Sequence, residues 1–261
     1  DVAPSRGLGD VYKRQIVDRE EEIRKFKPEE YWTIDAKFIP KGSRKSFSAS
    51  LYSDANGKIK IENQEQAEKI EQDLADAEYM ITKVKHGTRR KTPAPPFITS
   101  TLQQEASRKL GFQSRRTMKV AQELYEGVDI EGMGATGLIT YMRTDSLRIS
   151  DVAKEEAAQY ILNRFGEKFL PAKPRVFKTK SNAQDGHEAI RPSMPSLSPE
   201  DVKASLTSDQ FKLYNLIWNR FMASQMSDCI QKTTQAEISA KEYIFKASGY
   251  YVDFEGFTTL Y

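Results

Sequence analysis

Apolar and polar residues alternate in two stretches near the start of the chain. The alternation covers residues 32–38 and 46–52, and the turn sequence Lys41-Gly42-Ser43 separates them. Alternation places every second side chain on the same face of a strand. The pattern therefore predicts an antiparallel hairpin with one buried face.

Helical and strand patterns flank this hairpin. The highly charged segment 16–26 has apolar residues at helical spacing and stops before Pro28, so we predict a helix there. Residues 63–77 predict a polar helix and residues 79–85 a further strand. The sequence Pro93-Ala94-Pro95-Pro96 then ends the pattern, as a junction between domains would.

Beyond the prolines the apolar spacing is helical, and it returns to strands near the end. The predicted helix starts carry serine caps, at Ser100, Ser114, Ser150 and Ser198. Three predicted helices stop at Gly111, Gly127 and Gly166. A strongly amphipathic helix follows, marked by Phe211, Tyr214, Ile217, Trp218, Phe221 and Met222. From Thr233 onward, three short segments, 236–241, 242–247 and 250–255, predict strands.

The order of strands, helices and strands predicts an α+β protein of several domains. A helical domain would be inserted between two parts of a β-rich domain. Residues 1–15 show no sustained period, and we expect them to be a non-native leader. The predicted divisions after this leader are residues 16–28, 29–96, 97–227 and 228–261.

Composition narrows the possible chemistry of the 261-residue chain. One cysteine forms neither an internal disulfide nor a cysteine-based zinc site, and two histidines do not make a histidine-rich metal site. Neither a membrane-spanning apolar run nor a secretory signal pattern is found, so we expect a cytoplasmic protein without a membrane partner. Forty Lys and Arg against 37 Asp and Glu permit nucleic acid as a partner without requiring it.

The first candidate for chemistry is the segment Tyr141-Met142-Arg143-Thr144-Asp145-Ser146. One interpretation is an ordinary core tyrosine followed by a polar turn. The other is a nucleophile. A phenol with a pKa of about 10 attacks a phosphate or a carbonyl only when cations stabilise the developing charge. Arg143 could supply that cation if the backbone is extended and both side chains share a face.

The second candidate is the segment SNAQDGHEAIRP at residues 181–192. If it is helical, His187 and Arg191 lie four positions apart on one face. That arrangement would pair a titratable group with a planar guanidinium that binds phosphate. The alternative is a histidine without a functional role, whose polar groups are simply satisfied by hydrogen bonds.

Basic residues cluster around both candidates. They are Lys83, Lys85, His86, Arg89, Arg90 and Lys91, then Arg115, Arg116 and Lys119, then Lys173, Arg175, Lys178 and Lys180. Such runs are commonly solvated surfaces. Their separation from the acidic segment 18–30 would also suit a phosphate backbone.

Five segments, in order, are similar to bacterial type IA DNA topoisomerases. GLITYMRTDS (137–146) resembles the active-site segment of that family. The other four are IVDREEEIRKFKPEEYW (16–32), PPFITSTLQQEASRKLGF (95–112), AQDGHEAIRPS (183–193) and LYNLIWNRFMASQM (213–226). The spacing agrees from Ile16 to the end of the chain, and a chance match of several long motifs in order is very improbable.

The resemblance implies a role for each candidate residue. Tyr141 would attack single-stranded DNA and become joined to a 5′ phosphate. Arg143 would hold and neutralise that phosphate, and His187 would donate hydrogen bonds or relay a proton. Lesser candidates for positioning the DNA are Arg191, Asp145, Glu105 and Gln104.

The resemblance also implies a fold, a cofactor and a partner. Residues 97–227 would be the tyrosine-bearing domain, 29–96 and 228–261 a β-rich arch, and 16–28 the remnant of a DNA-binding domain. A phosphotyrosine conserves bond energy, so resealing needs no ATP, and negatively supercoiled DNA would be relaxed. Nothing here matches the family's N-terminal domain that holds Mg²⁺ or its C-terminal zinc modules. We therefore expect a fragment without metal ligands or relaxation activity of its own.

Two alternatives remain open. A tyrosine recombinase would also use tyrosine, arginine and histidine, but it places His-x-x-Arg before the tyrosine, whereas here His-x-x-x-Arg follows it. Such an enzyme would become joined to a 3′ phosphate. A non-catalytic module that binds single-stranded DNA or a protein would need only basic grooves and exposed aromatic residues.

Overall fold

The chain has an α+β architecture, in agreement with the prediction. The computed structural model describes residues 5–177 and 187–261, with the backbone alone at 5–12. Its contacts divide the chain into two compact units. Unit 1 comprises Asp1–Lys85 and Thr234–Gly249, and unit 2 comprises His86–Thr233 and Tyr250–Tyr261. Most of unit 2 therefore lies in the sequence between the two parts of unit 1.

Helices and strands are interspersed along the chain. The described helices are α1 (Ser5–Lys25), α2 (Gln64–Leu74), α3 (Thr99–Leu110), α4 (Ser114–Glu126), α5 (Asp151–Phe165), α6 (Pro199–Val202) and α7 (Ser208–Ser224). The described strands are β1 (Asp35–Phe38), β2 (Phe47–Asp54), β3 (Gly57–Lys58), β4 (Met80–Lys91), β5 (Val128–Ile130), β6 (Gly134–Thr136), β7 (Cys229–Ala240) and β8 (Tyr243–Phe254). Short 3₁₀ turns occupy Glu167–Phe169, Lys203–Ser205 and Gly256–Thr259.

Helix α1 begins earlier than the sequence pattern predicted. The predicted start near Ile16 is wrong, because the helix already begins at Ser5. Extending an existing helix costs little, and an internal glycine such as Gly7 or Gly9 costs only about 1 kcal/mol. Its apolar side chains are exposed, including Ile16 at 70% and Ile23 at 56%.

An antiparallel sheet forms the centre of unit 1. The predicted hairpin is confirmed, since β1 pairs with β2 from Asp35–Ser50 to Phe38–Phe47. The strand order is β1-β2-β8-β7-β4, and β3 pairs with the end of β2. The β8 pairing holds Leu51 against Phe245, with a register shift before Ser53.

One face of this sheet is covered by α2. The helix begins where predicted, with the Asn63 side chain accepting a hydrogen bond from the Gln66 amide. Ala67, Ile70 and Leu74 from α2 share a buried cluster with sheet residues, which are Ala49, Ile238, Ala240, Tyr243 and Phe245. The opposite face of the sheet carries its polar residues.

The final strands are longer than predicted. Segments 242–247 and 250–255 were predicted as separate strands, but both belong to the single strand β8. The division failed because cross-strand hydrogen bonds carry the strand past the intervening Gly249. Strand β4 likewise continues to Lys91, and the two units divide within β4, β7 and β8.

Helices supply the core of unit 2. Ser150 caps α5 by accepting from the Ala153 amide, and Gly111, Gly127 and Gly166 stand at the predicted helix ends. The start of α3 is different, because its N-cap is Ile98 rather than Ser100. Representative fully buried side chains of this core are Leu102, Leu124, Ile161, Tyr214 and Phe221.

Candidate active site

Three chain segments of unit 2 lie side by side around Tyr141. Isolated antiparallel bridges join Phe97 to Ile190 and Ile139 to Pro192. The hydroxyl of Thr140 strengthens the second junction, since it donates to the Ala189 carbonyl over 2.7 Å. These backbone contacts bring the 138–146 segment next to the 187–193 segment and to the start of α3.

The side chains of the 141–146 segment alternate between surface and core. Tyr141, Arg143 and Asp145 are exposed, whereas Met142, Thr144 and Ser146 are buried. The chain bends at Met142 and Arg143. Tyr141 and Arg143 are therefore both accessible to a ligand, with the buried Met142 between them.

The ring of Tyr141 lies between two other rings. Tyr125, in the last turn of α4, is 5.4 Å away between centroids at an interplanar angle of 66°. His187 is 6.0 Å away at 61°. Both contacts are edge-to-face, the geometry that aromatic quadrupoles favour. They restrict the Tyr141 ring while 41% of the residue stays accessible to solvent.

The end of α4 is held directly against the segment that carries Tyr141. The Leu138 amide donates to the Leu124 carbonyl over 2.8 Å. At Gly137 a Cβ atom would lie only 2.7 Å from the Tyr125 carbonyl oxygen. Only glycine fits this approach without displacing backbone, so Gly137 allows the contact that places Tyr125 beside Tyr141.

Arg143, Asp145 and His187 line one open cavity. Its volume is about 450 Å³, and its remaining lining residues are Ile98, Thr99, Ser100 and Thr144. We refer to this space as the Arg143–His187 cavity. The Arg143 guanidinium, the His187 imidazole and the amino end of α3 meet there beside one carboxylate, that of Asp145. A helix amino end favours negative charge, and the guanidinium balances the carboxylate. The cavity is therefore suited to an anion such as a phosphate group.

Thr99 fixes the start of α3 to the Tyr141 segment. Its hydroxyl donates to the Met142 carbonyl over 2.8 Å and accepts from the Thr144 amide over 2.9 Å. Its own amide donates to the Thr144 carbonyl over 3.0 Å. These bonds explain why the helix begins before Ser100, and they hold the amino end of α3 beside Arg143.

The described residues around His187 do not meet the condition of a helical segment. Residues 187–191 are extended, with the Ile190 amide donating to the Phe97 carbonyl and the Ala189 amide to the Arg148 carbonyl, each over 2.8 Å. These distant partners replace the local bonds of a helix, so His187 and Arg191 do not share a helical face.

Arg191 is buried beside Glu188 instead of lining the cavity. Its side chain is 9% exposed and donates to Glu188 over 2.6 Å and to the Pro192 carbonyl over 2.8 Å. Arg191 also reaches the Ser150 hydroxyl at the start of α5 over 3.3 Å. Through these contacts Arg191 stabilises the 187–193 segment from within the protein.

Glu105 and Gln104 lie further along α3 and do not line the Arg143–His187 cavity. Glu105 forms ion pairs with Arg108 and Lys109 and accepts a hydrogen bond from the Tyr261 hydroxyl over 2.9 Å. Burial, together with that hydrogen bond to Glu105, raises the pKa of Tyr261 to about 12. Gln104 is exposed on the helix surface.

Sequence reasoning missed the residues that support Tyr141. Tyr125 and Thr99 gave no signal, because each acts through a partner that is distant in sequence. Gly137 gave only a weak signal, which is its position directly before a short apolar run. The motif residues 183–186 and the basic Lys178 and Lys180 lie outside the described residues.

The acidic and histidine side chains do not form a metal site in the described part of the chain. Across residues 5–177 and 187–261, no three His, Cys, Asp or Glu side chains converge as a metal ion would require. These residues therefore give no ligand set for the Mg²⁺ that the family resemblance implies.

Among the same residues, no helix is long and apolar enough to cross a bilayer.

Comparisons with known proteins agree with the sequence resemblance. A family model described as DNA topoisomerase matches residues 14–261. Among solved structures, full-length topoisomerase I from Thermotoga maritima is 36% identical to this chain, with a TM-score of 0.76. That match covers 95% of this chain and 38% of the relative, so the chain spans well under half of the relative's length.

Proposed function

Since the chain belongs to the DNA topoisomerase family, we propose that Tyr141 cleaves and rejoins one DNA strand in the manner of a type IA enzyme. One observation carries this proposal. Tyr141 is exposed, and its ring contacts His187, which together with Arg143 lines a cavity that suits a phosphate group. The whole enzyme would relax negatively supercoiled DNA by passing a strand through the transient break.

The proposed reaction is a transesterification at phosphorus. The Tyr141 oxygen attacks the phosphorus atom, a P–O bond to the tyrosine forms, and the bond from phosphorus to the 3′ oxygen breaks. The phenol loses its proton, and the departing 3′ oxygen gains one. The 5′ phosphate stays joined to Tyr141, and attack by the 3′ hydroxyl reverses each step. One ester replaces another, so resealing requires no ATP.

Arg143 and the amino end of α3 would stabilise the phosphate during this exchange. A guanidinium donates two parallel hydrogen bonds to phosphate oxygens. Fixed donors around a transferring phosphoryl group stabilise the charge that develops in the transition state. The Thr99 hydrogen bonds support this role, because they hold the helix amino end beside Arg143.

His187 is proposed as the group that hydrogen-bonds near the scissile phosphate or relays the proton. It lines the same cavity as Arg143 and Asp145 and touches the Tyr141 ring. Asp145 is proposed to orient Arg143 or the DNA, because both side chains line the cavity from the same segment.

Tyr125, Arg191, Glu105 and Gln104 are assigned to positioning. Tyr125 would limit the rotation of the Tyr141 ring. Arg191 would hold the 187–193 segment through its pair with Glu188. Glu105 would fix α3 through Tyr261, and the exposed Gln104 would contact DNA alongside the cavity.

The direction of the covalent link tests this function. The chain is mixed with the remaining part of the Thermotoga maritima enzyme, with and without Mg²⁺, and with single-stranded DNA labelled at one end. A 5′ link transfers a 3′-end label to the protein and leaves a 5′-end label on the released DNA. We expect protein labelling with 3′-labelled DNA in the absence of ATP.

The opposite labelling pattern would identify a tyrosine recombinase. Binding without any covalent label, in mixtures where the intact relative forms its adduct, would support the non-catalytic module instead. Each of these two outcomes contradicts the proposal.

A further inference from the structure

The sheet of unit 1 has a solvent-facing side that the proposed cleavage reaction does not use. Helix α2 covers the other side of this sheet. On the open side, Tyr52 on β2, Lys246 on β8, Glu237 on β7 and Lys83 on β4 form a row across four strands. The Lys246 ammonium lies 3.5 Å from the centre of the Tyr52 ring. Glu237 lies 3.7 Å from Lys246 and 3.8 Å from Lys83.

A second row adds hydrogen-bonding groups and another lysine. Lys85, Gln235 and Ser248 lie next to the first row and line, together with Lys83 and Lys246, an open depression of about 370 Å³. We call the surface formed by Lys83, Lys85, Lys246 and Tyr52 the lysine face. Lysine cations, an exposed aromatic ring and neutral hydrogen-bond donors thus lie on the same side of the sheet.

The lysine face has an excess of positive charge. The strand pairings place Lys37 and Asp35 on the same side, because they oppose Ser48 and Ser50, and Ser50 opposes Lys246. The three lysines of the lysine face and the neighbouring Lys37 therefore outnumber the carboxylates of Glu237 and Asp35. The pairs made by Glu237 are long and exposed, with the Lys83 side chain 64% and the Lys246 side chain 42% accessible. Such pairs contribute little, so the lysines stay able to bind another anion.

Two of the other basic residues singled out in the sequence, Arg116 and Arg175, are more fully neutralised. Arg116 forms a two-bond pair with Asp209, at 2.7 and 2.8 Å. Arg175 pairs with Asp228 over 2.5 Å, and both side chains are less than one-fifth exposed. The lysines of the lysine face are thus more available to an external polyanion than these two arginines are.

We infer that the lysine face binds the phosphate backbone of single-stranded DNA as a contact additional to the Tyr141 site. Regularly spaced phosphates complement the lysines of β4 and β8, which lie on either side of β7. An unpaired base that stacks on the Tyr52 ring would replace the Lys246 ammonium now lying over that ring, and the ammonium would then bind a phosphate. A base within a duplex does not present its face in this way. A protein partner fits less well, because lysine is depleted in protein interfaces.

The test measures DNA binding without cleavage. Every protein carries Tyr141→Phe, which removes the nucleophile, so failure of the proposed chemistry does not affect the result. Fluorescence anisotropy follows binding of a labelled single strand of about 20 nucleotides over a range of salt concentrations. One variant carries Lys83→Gln, Lys85→Gln and Lys246→Gln. The matched control carries Lys27→Gln, Lys41→Gln and Lys69→Gln, three exposed lysines of unit 1 elsewhere.

The lysine-face variant should weaken binding at low salt by at least about tenfold relative to the control. Its slope of log affinity against log salt should fall by about 2, since each phosphate contact on a single strand contributes about 0.7. Tyr52→Leu should weaken single-strand binding by about fivefold and leave duplex binding unchanged. Thermal unfolding of each variant verifies that the fold is intact.

Equal affinities and slopes for the lysine-face variant and its control would overturn the inference. Equal loss of single-strand and duplex binding in Tyr52→Leu would overturn the assignment to single strands. Either result would leave the covalent chemistry at Tyr141 to be judged by its own experiment.

Discussion

Tyr125 is the residue whose effect on Tyr141 can be separated most clearly from folding. An edge-to-face pair contributes about 0.5–1.5 kcal/mol, so its loss should slow formation of the covalent adduct by about three- to tenfold. We expect this reduction in Tyr125→Leu, with the DNA concentration for half-maximal rate unchanged. Tyr125→Phe keeps the ring and should retain the rate. The measurement is the single-turnover rate of adduct formation in the reconstituted mixture.

A purely structural role for Tyr125 would give a different result. Tyr125→Leu would then lower the unfolding temperature, and its adduct rate at low temperature would equal that of the unsubstituted protein. Equal rates for Tyr125→Leu and Tyr125→Phe would likewise contradict positioning by the ring.

The pH dependence of protein stability tests the environment of Tyr261, whose hydroxyl bonds Glu105 of α3. Burial and the hydrogen bond to Glu105 raise its pKa to about 12, so the folded protein binds this proton more tightly than the unfolded chain does. The stability it contributes is complete below about pH 10 and is lost as the pH rises towards 12. Denaturant unfolding at about pH 9 and about pH 11.5 should show a smaller loss of stability in Tyr261→Phe. An identical loss in both proteins would be inconsistent with the assigned environment.

The sequence identified the candidate residues more clearly than the groups around them. It pointed to Tyr141, Arg143, Asp145 and His187; in the structure the last three line one cavity, and Tyr141 contacts His187. Their supports were not foreseen, because Thr99 bonds a segment more than forty positions away. Contacts of that range leave no periodic pattern in a sequence.

At the level of elements, local patterns succeeded where a segment makes its own hydrogen bonds. The cap of α5 and the end of α3 at Gly111 follow from neighbouring residues, and both were predicted correctly. The sequence left open whether residues 187–191 are helical, and they are extended, since Phe97 and Arg148 supply their partners. The length of β8 was missed for a similar reason, because its pairing with β7 continues past Gly249.

Gly137 tests how closely α4 must approach the Tyr141 segment. Gly137→Ala puts a Cβ atom 2.7 Å from the Tyr125 carbonyl oxygen, so backbone must move. We expect a loss of about 1–3 kcal/mol in the free energy of unfolding, the usual cost of overpacking. Gly249→Ala is the matched control, because its Cβ meets no atom within 4 Å, and it should be neutral or slightly stabilising. Urea unfolding of both variants measures the difference.

Equal stability of the two glycine variants would show that α4 does not press against the 137–141 segment. A loss confined to Gly137→Ala, accompanied by slower adduct formation, would link this packing to the placement of Tyr141.

On the scale of the whole molecule, two units divide the proposed work. Unit 2 holds Tyr141, Arg143 and His187, and unit 1 presents the lysine face. The chain spans 38% of the Thermotoga maritima relative, so relaxation of supercoiled DNA is proposed for the whole enzyme. A covalent bond between one tyrosine and DNA is the part of that activity that this chain itself would form.

The most direct test of Tyr141 as the nucleophile is to identify the tyrosine that becomes joined to DNA. The adduct from the reconstituted mixture is digested with nuclease and trypsin, and the modified peptide is sequenced by mass spectrometry. We predict a nucleotide attached through a 5′ phosphate to Tyr141, and no adduct on this chain in Tyr141→Phe, whose unfolding temperature should be unchanged. An adduct on any of the other tyrosines, or one that persists in Tyr141→Phe, would contradict the assignment of Tyr141 as the nucleophile.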